Sequence, residues 1–416
     1  MMPPRATRRD CVATLLVLTA CSSEAESPGA WCDAGSPDAT IVFTGAGDAG
    51  VWTNDGLPEP RFTELWRAGG LNEGEELTFP LSASVSKNGQ LAVADFGLSE
   101  LTIIGPDGAW GEPSARSGQG PGELGAPVAA AWSPDGADVA VFDIANSKIV
   151  YVGVGESPRE DLPVPTSMTG PAVASGELAW AGVTPAGSAL LRPAASVDAS
   201  NRSPTRESAP AHSVVLRSLP GLDSFDTIGS TTVPTIGGGR PYGDRNAPGW
   251  PMLAVATGRS GEIAIGGEDA RYRIRILSRD GAHRSTLCRD APPLPIDRPE
   301  KLGRSEEEPP TGLEEAIAAA PRPDSLAPYG RLFFSHEGNL WVQRERPTGL
   351  SFGEEYHGVP GAQYDVFDPT GVFLGTVRAP AKARLQAALG DTVWAYEVGE
   401  LDETWIVAYQ LEHGAP

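Results

Sequence analysis

The 416-residue chain is poor in the residues that mark most readable activities: it has four cysteines and five histidines, and its 32 Lys and Arg are outnumbered by 54 Asp and Glu. The formal net charge is −22. Binding to a phosphate backbone depends on Lys and Arg neutralising phosphates, so this balance argues against nucleic acid as a partner. It argues equally against adhesion to an anionic bilayer by charge, and solubility in a crowded compartment is enough to account for it. Gly-x-Ser-x-Gly, His-Glu-x-x-His and Cys-x-x-Cys-His are all missing, which removes the simplest signatures of serine hydrolases, zinc peptidases and attached haem. The five histidines, His212, His283, His336, His357 and His413, are scattered among turns and loops. The apolar run from Cys11 to Ala20 falls well short of the roughly 20 residues that a membrane-spanning helix needs.

What that run does fit is an export signal. Arg5, Arg8 and Arg9 form a basic head, the apolar stretch follows, and small residues precede Cys21. The ending Leu18-Thr19-Ala20-Cys21 resembles the lipobox of bacterial lipoproteins, which implies cleavage before Cys21 and acylation of its thiol. Residues 1–20 are then the signal peptide. The small and polar stretch after Cys21 reads as a flexible, lipidated tether over residues 21–40. Ser22, where lipoproteins kept in the inner membrane usually carry Asp, leans by the same resemblance toward the outer membrane, facing the periplasm or the cell surface. Cleavage removes three Arg and one Asp, leaving −24 on the mature chain. Cys11 leaves with the signal and Cys21 takes lipid, so Cys32 and Cys288 remain; they either pair or stand as separate thiols.

Glycine (50) and proline (39) make up about a fifth of the chain, well above the usual share of roughly 12%. Many turns and few helices are expected. A unit recurs: a Gly or Asp-Gly turn, a short alternating apolar strand, a second strand and another turn. It appears at residues 84–112 and 131–154, then from Ser175, Arg259, His336 and Gly390. Short alternating strands joined by Gly, Asn or Asp turns are hairpins, and a repeat of about 40–50 residues built only of hairpins predicts propeller blades. One small sheet cannot cover both its faces, whereas six arranged radially bury each against the next and protect the edges. The fold class is therefore all-β, a single six-bladed β-propeller over residues 41–416. Arg61-Phe-Thr-Glu-Leu-Trp-Arg67 is expected to be the outer strand that completes the last blade. One short helix is expected near residues 311–320: Thr311 and Glu314 form a capping box, and Pro321 and Pro323 stop it. Residues 183–212 read as a long loop within blade three.

Leu65-Trp-Arg-Ala-Gly-Gly, Ser117-Gly-Gln-Gly-Pro-Gly-Glu-Leu, Gly338-Asn-Leu-Trp-Val and Tyr364-Asp-Val-Phe-Asp-Pro-Thr-Gly resemble the markers of a family of bacterial six-bladed β-propeller lipoproteins, related in fold to NHL-repeat and TolB-like propellers. The resemblance spans roughly residues 61–412. It implies architecture and carries little chemistry.

Candidate sites follow from the fold. Aligning the glycine turns places Asp95, Asp143, Gly182, Gly267, Arg344 and Glu397 at the ends of the innermost strands, with Glu268 and Asp269 beside them. Several carboxylates around an axis suit Ca²⁺, which takes six to eight oxygen ligands. Asp95, Asp143 and Glu397 would then be the metal ligands. Arg344 in the same ring points instead to an ion-paired channel, with Arg344 against Asp95 or Asp143. Metal-dependent lactonases use six-bladed propellers with carboxylate and Asn ligands on the axis; Asn146 and Asn339 are available, but neither ends an inner strand. Quinone-dependent sugar dehydrogenases use the fold too, with a catalytic His and Arg, and His336 sits in a blade turn. Gly118-Gln-Gly-Pro-Gly-Glu123 could cradle an anion, but Pro121 and Glu123 favour a structural turn. Gly45-Ala-Gly-Asp-Ala-Gly50 matches a dinucleotide fingerprint, but no helix follows to hold a pyrophosphate, so a turn is expected there as well. The loop around Arg240 and Tyr242 carries residue types favoured at binding hot spots. The function expected is a non-catalytic binding or scaffolding propeller, monomeric and held to the membrane only by its lipid, for an envelope protein, peptide or glycan. The alternative is a lactonase-type hydrolase that uses the axial carboxylates and a metal.

Overall fold

The recurring turn organises the chain. Its serine or glycine carbonyl accepts the N–H of a glycine three residues on, as in Gly89 to Ser86 (3.1 Å), Gly136 to Ser133 (2.9 Å) and Gly338 to Ser335 (3.0 Å). That glycine is left-handed, with φ of 80° at Gly89 and 90° at Gly338, a conformation that side chains disfavour. Each turn returns the chain antiparallel and so fixes the register of the strands that flank it.

The computed structural model describes Cys32 and most of the chain between residues 39 and 413; the longest stretches outside the description are 1–31, 194–210, 242–252, 296–324 and 345–357. The strands form six antiparallel blades. Blade one is Pro80–Val85, Leu91–Asp95 and Glu100–Ile104; blade two is Pro127–Trp132, Asp138–Asp143, Lys148–Gly153 and Leu162–Pro163. Blade three is Leu178–Val183, Ala189–Pro193, Ala211–Ser218 and Phe225–Val233. Blade four is Ala254–Thr257, Ile263–Gly266, Arg273–Leu277 and His283–Arg289; blade five is Leu332–Phe334, Leu340–Gln343, Gln363–Phe367 and Phe373–Arg378. Blade six is Arg384–Leu389, Thr392–Val398 and Thr404–Glu412, completed by Arg61–Gly69. The N-terminal strand therefore closes the ring as its sequence suggested. Blade three differs from expectation: Ala189–Pro193 is a strand inside the stretch read as loop, because Ala-Leu-Leu supplies an apolar strand core. The expected helix at 311–320 lies outside the described residues, and the helix that is described is a single turn at 166–169.

The first strands of the six blades contact one another in ring order and close from blade six back to blade one, so they surround the axis. The second strands are the most buried: every residue of Leu91–Asp95, Asp138–Asp143, Ile263–Gly266 and Leu340–Gln343 is buried. This corrects the alignment drawn from sequence. The apolar strand after each glycine turn is the second of its blade, not the innermost. It reads as strongly apolar because neighbouring blades cover both its faces.

The N-terminal stretch is also built into the body. Thr40–Thr44 adds a parallel strand to the outer edge of blade four. Trp52 N–H then donates to Leu374 O of blade five at 2.7 Å, before the chain reaches blade six. Cys32, placed in the tether by the sequence reading, is buried and disulfide-bonded to Cys288 of blade four, with 6.0 Å between Cα atoms.

Candidate functional site

The acidic residues singled out from sequence end second strands, and most are engaged within their own blade. Asp95 is buried; its Oδ2 accepts Thr78 N–H (2.8 Å) and its Oδ1 accepts Phe79 and Leu98 N–H (3.0 Å each). Asp143 is fully buried and accepts N–H bonds from Gly125 (2.8 Å), Ala126 (2.9 Å) and Asn146 (3.3 Å), with the Asn146 side-chain amide at 2.6 Å. Both carboxylates thus pin the loop that enters the blade and the turn that follows. Glu397 accepts the Tyr409 hydroxyl and pairs with Arg67 at 3.4 Å. Burial, reinforced by Glu397, pushes the Tyr409 phenol above its ordinary value. Glu268 is bonded by Arg275 at 2.6 and 2.7 Å, and Asp269 by Arg273 at 2.6 Å.

Arg344 pairs with neither Asp95 nor Asp143. It lies 3.9 Å from Asp365, a fully buried carboxylate in the third strand of blade five, because the two strands are direct neighbours. Asp365 also meets Arg289, the Tyr272 hydroxyl (3.0 Å) and the Thr376 hydroxyl (2.7 Å). Tyr272 is pushed well above the usual phenol range, by burial first and the Asp365 charge second. In blade five the position equivalent to Asp95 is Gln343, whose Oε1 accepts Val359 N–H at 3.1 Å. Among the described residues, no three His, Cys, Asp or Glu gather as a metal site. Asp95, Asp143 and Glu397 have the partners named above, none of them lines the central channel, and they do not gather as the Ca²⁺ shell considered from sequence.

The central channel is lined by other residues, and only Gly182 of the proposed ring is among them. It encloses about 130 Å³ between the six first strands. Ser82 and Ser84 come from blade one, Ser133 from blade two, Arg259 from blade four, Arg331 and His336 from blade five and Gln386 from blade six. A first strand pairs on one side only, so its other edge leaves N–H and C=O groups toward the axis, and those need partners. Side chains from other blades supply them. Ser82 and Ser84 Oγ accept Ala130 and Trp132 N–H at 3.1 and 3.2 Å. Arg331 donates to Leu385 O and, at 2.7 Å, to Gln386 Oε1. Burial draws the Arg331 guanidinium below its usual value, yet it keeps accessible surface, as a group lining an internal channel does.

At one mouth Arg259 reaches past blade three to donate to Pro134 O (3.0 Å) and also contacts His336 Nε2 (3.0 Å). With Nε2 accepting from Arg259, the proton belongs on Nδ1, which faces Val85 O at 3.4 Å. Burial first, and the Arg259 charge next, holds His336 below the ordinary histidine value. Beside this mouth a groove of about 260 Å³ opens between blades four and five, lined by Glu262, Arg284, Glu337 and Asp368 and sharing Arg259, Phe334 and His336 with the channel.

Of the remaining candidates, Glu123 fills the glycine turn it belongs to, its Oε2 accepting Gly120 N–H at 2.8 Å. Gly45–Gly50 turns through Asp48 N–H to Gly45 O at 3.1 Å and leads along blade five. Arg240–Pro241 pairs with Thr235–Ile236 in a two-stranded hairpin, while Tyr242 and Cys21 lie outside the described residues. Sequence reasoning missed Arg331 and Arg259; the signal available was their place beside the first strands, once those strands are told from the second.

No family model and no curated protein matches the chain. Solved structures similar to it include a member of the DUF4221 family from Bacteroides vulgatus, 14% identical, covering 85% of this chain and 99% of its own, with a TM-score of 0.48. A Bacteroides fragilis protein described as a candidate exported protein is 13% identical over 90% of this chain and 100% of its own, with a TM-score of 0.45. A gluconolactonase from Xanthomonas campestris is 13% identical over 88% of this chain and 98% of its own, with a TM-score of 0.36. These likenesses lend no activity to this chain, whose architecture is established by its own six blades.

Proposed function

We propose that this chain is an exported, lipid-anchored propeller of the cell envelope that binds its ligand without converting it, presenting one face to a protein, peptide or glycan. The observation that carries the reading is the continuous recess of channel and groove that meets at Arg259, Phe334 and His336. Arginine and aromatic side chains beside a concave surface are the residue types that dominate binding energy. The carboxylates a hydrolase would use to hold a metal are spent on backbone amides and ion pairs in separate blades. The basic head, apolar run and Cys21 support export and lipidation. The Cys32–Cys288 bond adds to this, since such bridges form in oxidising compartments.

The test is an array of envelope glycans and peptides probed with the purified protein, followed by affinities for Arg259→Ala and Arg284→Ala. The expected result is saturable binding, weakened about tenfold or more by either change. Turnover of a lactone that depends on added divalent ion would overturn the reading in favour of the hydrolase.

A further inference from the structure

Within a protein of strongly negative charge, the wall of the central channel carries the opposite bias. Among the described residues that line it there are two arginines and a histidine, and no Asp or Glu. The two arginines are not equivalent. Arg259 contacts a carbonyl and an imidazole at one mouth and is exposed there. Arg331 precedes the first strand of blade five, at the other end of the channel wall, and among the described residues no carboxylate pairs with it. Its described partners are Leu385 O and Gln386 Oε1, both uncharged, so they use two of the five N–H groups that a guanidinium offers. Its guanidinium carbon also lies 5.8 Å from the Phe333 ring, which contributes no countercharge beyond its face.

A buried cation without a counterion is costly, and proteins normally pair it. Elsewhere in this molecule they do: Arg289 is set against Asp365, Arg275 against Glu268 and Arg217 against Asp226. Arg331 departs from that pattern on the wall of a channel where a small ligand has room. The hydroxyls of Ser82 and Ser84 add to the argument. Each accepts a backbone N–H with its oxygen, and neither has an acceptor for its own proton among the described residues. Ser82 lies in the first half of its first strand and Arg331 just before its own, so these two donors belong to the same part of the channel, while Ser84 lies two residues nearer the mouth of Arg259 and His336.

We infer that the central channel is a binding site for a small monoanionic carboxylate, held by Arg331 with the hydroxyl of Ser82 as a further donor. One guanidinium balances one negative charge, and its planar fork matches a carboxylate in two-point contact. The channel, with about 130 Å³ of space accessible to water, has room for a carboxylate with a few carbon atoms or the acid end of a larger molecule. A phosphate dianion would bring an excess charge into the same enclosed space. The inference rests on the binding reading given above and names the chemistry the recess takes at its channel end.

The first experiment is thermal denaturation of the protein in sodium acetate, against sodium chloride at equal ionic strength. A dose-dependent rise of about 2 °C or more in acetate alone is expected. Arg331→Gln should abolish that rise. Arg331→Lys, which keeps the charge without the fork, should bind acetate at least about tenfold more weakly than the parent. Equal melting in acetate and chloride overturns the assignment, as does an undiminished rise in Arg331→Gln. A larger rise in inorganic phosphate than in acetate overturns the carboxylate class. Should Arg331→Gln fail to fold, saturation-transfer NMR of formate with the unsubstituted protein decides the matter. Transfer that acetate displaces and chloride does not is the expected result, and no transfer overturns it. Loss of the acetate effect with array binding intact removes only the channel site, whereas an acetate effect without any array ligand removes only the groove reading.

Discussion

The interface between blades one and two and the interface between blades four and five solve the same packing problem with different chemistry. Between blades one and two the contact is mainly aliphatic: Ala92, Ala94, Leu101, Leu124, Val139, Val141 and Val150 form one cluster, joined by the ring of Trp132. Its polar complement is the pair of serines that cap the free edge of the next first strand. Between blades four and five the cluster is aromatic, with Tyr272, Tyr329, Phe367 and Phe373. A fully buried Asp365 meets Arg289 across it, and the Tyr329 hydroxyl donates to Arg273 O (2.6 Å) while accepting Gly267 N–H (2.7 Å). The N-terminal strand and the disulfide then clasp the outer edges on that side. Blades one and two follow each other with a nearly regular repeat, so small apolar residues mesh without help. The long stretch from 296 to 324 separates blades four and five in sequence, and the interface there depends on specific side-chain pairs and a covalent tie.

Breaking the ionic pair should expose this difference most strongly. Asp365→Ala leaves Arg289 buried without a partner and should cost about 3–5 kcal/mol in urea unfolding. Replacing the pair together, as Asp365→Leu with Arg289→Met, should recover most of that loss, since neither charge is then left in the interior without its partner. An Asp365→Ala variant as stable as the parent would mean that the aromatic cluster alone holds the interface.

The clasp comes next. Exchanging both Cys32 and Cys288 for Ala should lower stability by about 2–5 kcal/mol, because the bridge restricts a very long loop of the unfolded chain. Melts with and without reductant on the parent give the same comparison. A reductant-insensitive melt would limit the N-terminal strand to a passive role.

On the aliphatic side the largest polar term is a capping carboxylate. Asp143→Ala should cost about 1–3 kcal/mol by leaving Gly125, Ala126 and Asn146 N–H without their acceptor. Asp143→Asn, which keeps an acceptor oxygen, should recover part of it by the same unfolding measurement.

The smallest effect expected is a dependence on pH. His336 and His283 are both held below the ordinary histidine value, chiefly by burial. The unfolded chain therefore takes protons first, near pH 6.5. Their contribution is complete above that pH and is lost as the pH falls toward the folded-state values. Melting temperature should drop between about pH 7 and 5, and His336→Gln should flatten part of that slope. Protonated His336 can no longer accept from Arg259, so acid breaks the crossing at the channel mouth.

Much of the architecture is legible in the sequence. The glycine turns at 89, 136, 261 and 338 mark every hand-over from first to second strand in their blades, because only a left-handed residue closes that turn cheaply. Arg61–Gly69 was legible as the closing strand because it alternates and lacks a partner nearby in sequence. The candidate site was far less legible. Asp95 and Asp143 look like functional carboxylates in a linear reading, and nothing in their neighbours reveals that backbone amides consume them. Arg331 and Arg259 sit in unremarkable stretches, Tyr-Gly-Arg and Thr-Gly-Arg, with no pattern to distinguish them.

The chain's own sequence determined a six-bladed ring, its closure by the N-terminal strand and the turns that space its strands, because period-two alternation and glycine placement are local properties. Only the tertiary structure decided which strand faces the axis, that Cys32 meets Cys288, and that an arginine with no carboxylate partner among the described residues lines the channel. Alternation tells which face of a strand is buried. It does not tell how far from the axis the strand lies, and that distance is set by how six sheets pack against each other.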